Sequence, residues 1–141
     1  MFIAALALAA AGAGTLTVAV GNVRNDRGMI HIDVCDEAHF LKSDCQYWGE
    51  APAHPGTVTV TVKGLPAGNW GIQAYHDENR NRDVDRNFLG IPKEGIGFSR
   101  DARIGLGPPK WRDAVFGFDG QGAATGLRLH YMLGPSGPPA R

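Results

Sequence analysis

The stretch TVTVTVK, residues 57–63, alternates threonine and valine. An extended backbone puts Val58, Val60 and Val62 on one side and Thr57, Thr59 and Thr61 on the other, because successive strand side chains point to opposite faces. A helix would scatter the same valines around its circumference. The pattern recurs along the chain. TLTVAVGNV sets Leu16, Val18 and Val20 against Thr15, Thr17 and Ala19, and MIHIDV turns Ile30, Ile32 and Val34 to one face. WGIQAYH aligns Trp70, Ile72 and Ala74, GLRLHYML aligns Leu127, Leu129, Tyr131 and Leu133, and DAVFGFDG offers a short strand around Val115 to Phe118.

The alternation never closes into a long apolar run. Each strand therefore keeps a wet face, as antiparallel sheets do and parallel sheets buried on both faces do not. The expected fold is all-β, an antiparallel β-sandwich of immunoglobulin-like or prealbumin-like type with about seven strands. Twenty glycines and nine prolines supply the turns. NDRG, residues 25–28, is expected to close a hairpin between the first two strands, and GLPAGN to turn the chain into WGIQAYH. DEAHFLK is the best candidate for a short helix. With 141 residues the chain supports one domain with its own core. Residues 14–134 are read as that domain and 135–141 as a flexible tail.

The N-terminus, MFIAALALAAAGAG, is apolar from Phe2 to Ala11 and ends in the small-x-small pattern Ala11-Gly12-Ala13. It falls short of the roughly 20 residues that span a bilayer. Residues 1–13 read as a secretory signal truncated at its basic end, with a buried strand or helix start as the alternative. Export would place the domain in the periplasm or outside the cell. Cys35 and Cys45 flank the polar loop CDEAHFLKSDC. In an oxidising compartment a disulfide there would stabilise by roughly 3 kcal/mol, the alternative being two buried thiols. A CxxC redox motif and a second cysteine pair for zinc are both absent from the sequence. Fourteen basic and fourteen acidic residues, massed in no one block, argue against nucleic acid and against an anionic membrane surface.

HDENRNRDVDRN, residues 76–87, is the one stretch whose spacing suggests a ligand. Asp77, Asn79 and Asn81 fall at alternate positions, as positions 1, 3 and 5 of an EF-hand-type loop do, with Asp83 at position 7 and Asp85 at position 9. A hard cation such as calcium takes six to eight oxygens, and Glu94 in the following segment is the candidate for a further ligand. Two positions depart from the pattern. Arg82 stands where a glycine usually makes the turn, and Phe88 where a bidentate glutamate closes the site. The alternative is an Asx-rich turn whose side chains cap their own backbone.

Two other functions are open. Trp48, Trp70 and Trp111 could stack on the sugar rings of a carbohydrate or cell-envelope ligand. His76 beside Asp77, with Ser99 as nucleophile, would be the material for an enzyme, but no nucleophile elbow, HExxH or P-loop accompanies them. Neighbouring strand residues also point apart, which disfavours that dyad. His31, His76 and His130 are read as strand-end surface residues.

The segment GLPAGNWGIQAYHDENRNRDVDRNFLGIPKEGIGFSRDARIGLGPPKWRDAVF, residues 64–116, resembles a bacterial family catalogued as domain of unknown function 2141. CDEAHFLKSDC and the strands around NDRG are similar too, so the likeness runs from about Leu16 to Leu133. The resemblance implies a secreted or envelope β-sandwich with no assigned activity. GLPAGNW resembles the LPxGxY turn of prealbumin-like and surface-protein B-type domains, some of which carry D-x-N-x-D calcium loops at a strand end. By that motif the resemblance implies ligand roles for Asp77, Asn79, Asn81 and Asp85, with Arg82 where members often carry Gly or Lys.

Overall fold

The computed structural model describes residues 13–84 and 92–137. The signal-like segment up to residue 12, the ligand candidate Asp85 and the last four residues of the tail lie outside them. Among the described residues, β1 (Ala13–Val23), β4 (Gly56–Pro66) and β8 (Gly122–Arg128) form a three-stranded sheet in the order β4-β1-β8. A five-stranded sheet runs β3 (Tyr47–Pro52), β2 (Met29–Cys35), β5 (Gly68–Asp77), β6 (Ile96–Phe98), with β7 (Phe116–Phe118) paired to the start of β5. A 3-10 turn (Ser99–Asp101) and one short helix, α1 (Trp111–Ala114), complete the regular structure. The all-β sandwich expected from the alternation is the fold observed.

The core lies between the sheets. Leu16, Val18, Val20, Val58, Val60 and Val62 from one sheet meet Ile30, Ile32, Val34, Ile72 and Ala74 from the other, none more than 3% exposed. Each such side chain contributes roughly 1.5–3 kcal/mol of burial. A second apolar cluster sits on the far side of the five-stranded sheet. There Phe40, Phe98, Ala102 and Ala114 pack around the Cys35–Cys45 disulfide.

The pairing differs from the expected hairpin. β1 pairs with β4 and β8, whereas β2 pairs with β3 and β5, so the NDRG turn carries the chain from one sheet to the other. Two strands that share a core can lie side by side or face each other across it. Here the facing arrangement is held by Arg24, Asn25 and Arg27, which all bond Glu78 just after β5. Gly28 adopts a left-handed φ of 71°, and a Cβ there would overlap the backbone of Asp77.

β8 departs from the antiparallel expectation, running parallel to β1 from Thr15↔Gly122 to Gly21↔Arg128. It also ends before GLRLHYML does. Leu129 donates its amide to Gly21, and His130 exchanges backbone bonds with Ile96, so the chain passes from one sheet to the edge of the other. DEAHFLK forms turns and no helix. Leu41, at a left-handed φ of 70°, breaks the run before a helical stretch develops.

Candidate functional site

The acidic loop leaves β5 at Asp77. That carboxylate is fully buried and accepts two loop amides, Asn81 N on Oδ1 at 3.0 Å and Arg82 N on Oδ2 at 2.8 Å. Asn79 Oδ1 accepts from Asn81 N at 3.3 Å, Asn81 Oδ1 from Asp83 N at 3.0 Å, and Asp83 Oδ1 from Val84 N at 2.8 Å. Glu94 reaches back to the same loop, its Oε2 accepting the Glu78 amide at 2.7 Å. Five of the six residues named as metal ligands are thus gathered on one short stretch of backbone. Arg80 and Arg82 both stand at φ 59°, a left-handed conformation that costs a side-chain-bearing residue roughly 1–2 kcal/mol. Among the described residues no three His, Cys, Asp or Glu side chains form a group suited to a metal ion.

Next to this loop is a closed polar latch. Arg24 grips Glu78 with two nitrogens at 2.7 and 3.2 Å, and Asn25 and Arg27 add bonds to the same carboxylate. Burial alone would raise the Glu78 pKa, but the bonds from Arg24 and Asn25 and the Arg24 charge outweigh it and hold the pKa at about 2. His76 is fully buried beside it. Its Nε2 lies 2.7 Å from the Arg27 carbonyl and must donate, which leaves Nδ1 to accept the Tyr131 hydroxyl at 2.9 Å. That hydroxyl in turn accepts the Arg24 amide at 3.0 Å. Burial holds the His76 imidazole below its ordinary pKa. Ser99, the other residue with catalytic promise in the sequence, donates to Ala114 O and accepts from Ile72 N while 1% exposed. His76 and Ser99 are spent on holding the fold.

The outer face of the five-stranded sheet is different. Alternation places His31 and Asp33 of β2, Trp48 and Glu50 of β3, and Gln73 and Tyr75 of β5 on the side away from the core. The strand register then lines them up in two ranks, Glu50–His31–Tyr75 and Trp48–Asp33–Gln73. His31, expected at the surface, is 6% exposed and lies between two carboxylates. Its Nε2 is 2.9 Å from Asp33 Oδ1 and its Nδ1 is 3.2 Å from Glu50 Oε2. Burial lowers the His31 pKa, yet the bonds and charges of Asp33 and Glu50 more than reverse this and raise it. The ring stacks on Trp48 at 5.4 Å and leans on Tyr75 at 4.9 Å. Burial, followed by the charges of Asp33, Asp77, Asp83 and Glu50, pushes the Tyr75 phenol above its ordinary range.

His31, Asp33, Trp48, Gln73 and Tyr75 of these ranks floor a cleft of about 1070 Å³. The disulfide loop forms one wall through Leu41, Lys42 and Ser43, residues 82–84 another, and residues 104–108 a third. Gln73 ties floor to wall: its Nε2 donates to Asp33 and to Lys42 O, and its Oε1 accepts the Leu41 amide at 2.7 Å. Among the described residues, the exposed large hydrophobics are Leu41, Trp48, Leu106 and Met132, and all four line this cleft. Of the three tryptophans considered as platforms, only Trp48 is presented there. Trp70 packs against the core and Trp111 against Phe40. His31, Asp33 and Glu50 were legible only as polar residues at wet strand positions, a pattern that any solvated face shares.

A family model described as an uncharacterized protein conserved in bacteria (DUF2141) matches residues 18–125 of the chain. No curated protein and no solved structure matches it. No helix among the described residues is long and apolar enough to cross a membrane.

Proposed function

The chain belongs to this bacterial DUF2141 family, and from that premise we propose that it is a ligand-binding module whose ligand lies in the cleft over the five-stranded sheet. The observation that carries this reading is the convergence of Leu41, Trp48, Leu106 and Met132 on one concavity with a charged, hydrogen-bonded floor. Apolar walls with a few placed polar groups are the usual make-up of small-molecule sites. Their aliphatic character suits a ligand with an apolar body. Chemical-shift mapping with short alkyl glycosides tests this. Shifts are expected at His31, Gln73 and Leu106, and shifts confined to the other face of the sandwich would overturn it.

A carbohydrate is the second reading, favoured by the exposed ring of Trp48 beside Asp33 and Gln73, which could hydrogen-bond sugar hydroxyls. Plain oligosaccharides without an alkyl chain separate the two, since they would bind only if Trp48 were the main platform.

The loop of residues 77–84 supports calcium as a structural ion. Asp77 accepts two loop amides and Asn79 and Asn81 accept one each, so side-chain oxygens from three alternate positions turn onto the same short run of backbone. The left-handed residues 80 and 82 give the loop its tight curl. At ten times Kd the ion would add about 1.4 kcal/mol by mass action. No change in melting temperature between chelator and millimolar calcium would remove this role. The Cys35–Cys45 disulfide supports an oxidising location, periplasmic or secreted; recovery of the chain from the cytoplasmic fraction with reduced thiols would count against it.

A further inference from the structure

We propose that the cleft takes a small organic cation with an apolar body, seated against Trp48 and Glu50 where the Arg82 guanidinium now stands. This rests on the cleft being a ligand site and names the charge of what enters it. The floor carries one carboxylate, Asp33, and His31 bridges it through its two ring nitrogens to a second, Glu50 of the neighbouring strand, which Arg82 approaches from the cleft. As an imidazolium, His31 donates to both and neutralises one of the two charges. Among the described residues this cluster keeps one negative charge, next to Trp48, whose ring stacks on His31. In the walls, Lys42 and Asp83 cancel.

Arg82 supplies the missing cation, and supplies it loosely. Its guanidinium carbon stands 5.2 Å from the centre of the Trp48 ring, within cation–π range. Its nearest nitrogen is 3.5 Å from Glu50 Oε1, longer than the 2.7–2.9 Å or so of a strong charge-assisted bond. The side chain remains 64% exposed. Glu50 meanwhile keeps Oε2 on His31, so Oε1 is the atom available to an incoming donor. Arg82 is therefore an internal competitor: it shows that an aromatic face and a carboxylate oxygen here accommodate a planar cation, and it can swing into solvent when another takes its place. Leu41, Leu106 and Met132 at the rim would cover the apolar body of that ligand.

The test is isothermal titration with hexylguanidinium, 1-hexanol and hexanoate against the wild-type chain and R82Q. Hexylguanidinium should bind best and hexanoate worst. Removing the competitor should tighten hexylguanidinium by about tenfold, the combined worth of an exposed cation–π contact and a surface ion pair, and leave hexanol unchanged. Adding E50Q to R82Q should weaken hexylguanidinium severalfold and leave hexanol unchanged. Adding W48A to R82Q instead, at an exposed side chain, should weaken hexylguanidinium more than hexanol and serves if the loss of Glu50 disturbs His31. Failure of R82Q to tighten hexylguanidinium, or hexanoate binding as well as hexylguanidinium, overturns the proposal. If hexanol and hexylguanidinium bind alike throughout, the cation falls and the cleft stands; if no probe binds, both fall.

Discussion

His31 and His76 occupy adjacent ranks of the same sheet, since His31 pairs with Tyr75 and His76 with Ile30. Both are buried and both have two ring nitrogens engaged. They nevertheless do opposite things. His76, on the core side, meets a carbonyl and a phenol, both neutral, so burial decides and the ring stays uncharged. His31, on the outer side, meets two carboxylates, so charge decides and the ring is drawn toward its protonated form. The partner chemistry sets the protonation state, and burial alone does not. One cluster is sealed and holds the chain together; the other opens into a cleft.

The sharpest way to break this contrast is to remove a carboxylate from each cluster. Glu78→Ala strands the Arg24 guanidinium, whose side chain is 10% exposed, and is expected to cost about 3 kcal/mol in urea unfolding. Glu50→Ala removes a partner that is easily replaced by water and should cost about 1 kcal/mol. A larger loss at Glu50 than at Glu78 would show that the outer cluster is the structural one. Reducing Cys35–Cys45 should cost about 3 kcal/mol on the loop-closure model. It should perturb the NMR signals of His31 and Gln73 while those of His76 and Tyr131 stay in place. Tyr131→Phe deprives His76 Nδ1 of its donor inside the latch, and about 2 kcal/mol should be lost.

The pH dependence separates the two clusters with the smallest effect. The His31 pKa is raised in the folded state, so its contribution is complete below 6.5 and fades as pH climbs through the raised value. The His76 pKa is lowered, so its contribution is complete above 6.5 and fades as pH falls toward the lowered value. Glu78 adds a deeper acid limb, starting near 4.5 and ending at about 2. Titration of the two imidazole resonances should bracket 6.5, His31 above and His76 below. The reverse order would dissolve the contrast.

The strands could be read from the sequence because Val and Ile at every second position leave one solution for each segment. Val58, Val60, Val62, Ile30 and Ile32 are buried as that reading requires. Strand partners could not be read the same way. An inward-facing stripe is satisfied equally by a neighbour beside it and by a sheet opposite, so NDRG looked like a hairpin turn and is a crossing between sheets. The acidic loop was legible as a coil of oxygens because Asx residues act locally, through amides one to five positions away. The cleft was not, because His31, Glu50, Gln73 and Arg82 meet only through the register of three strands and the return of a loop.

The parallel pairing of β8 with β1 has a consequence for how the molecule comes to exist. β1, although first among the described strands, lies in the centre of its sheet, and its two flanks are filled by segments beginning at residues 56 and 122. Contacts so distant along the chain are slow to form. β1 therefore keeps one edge open until residues 122–128 reach it, and its sheet is completed late.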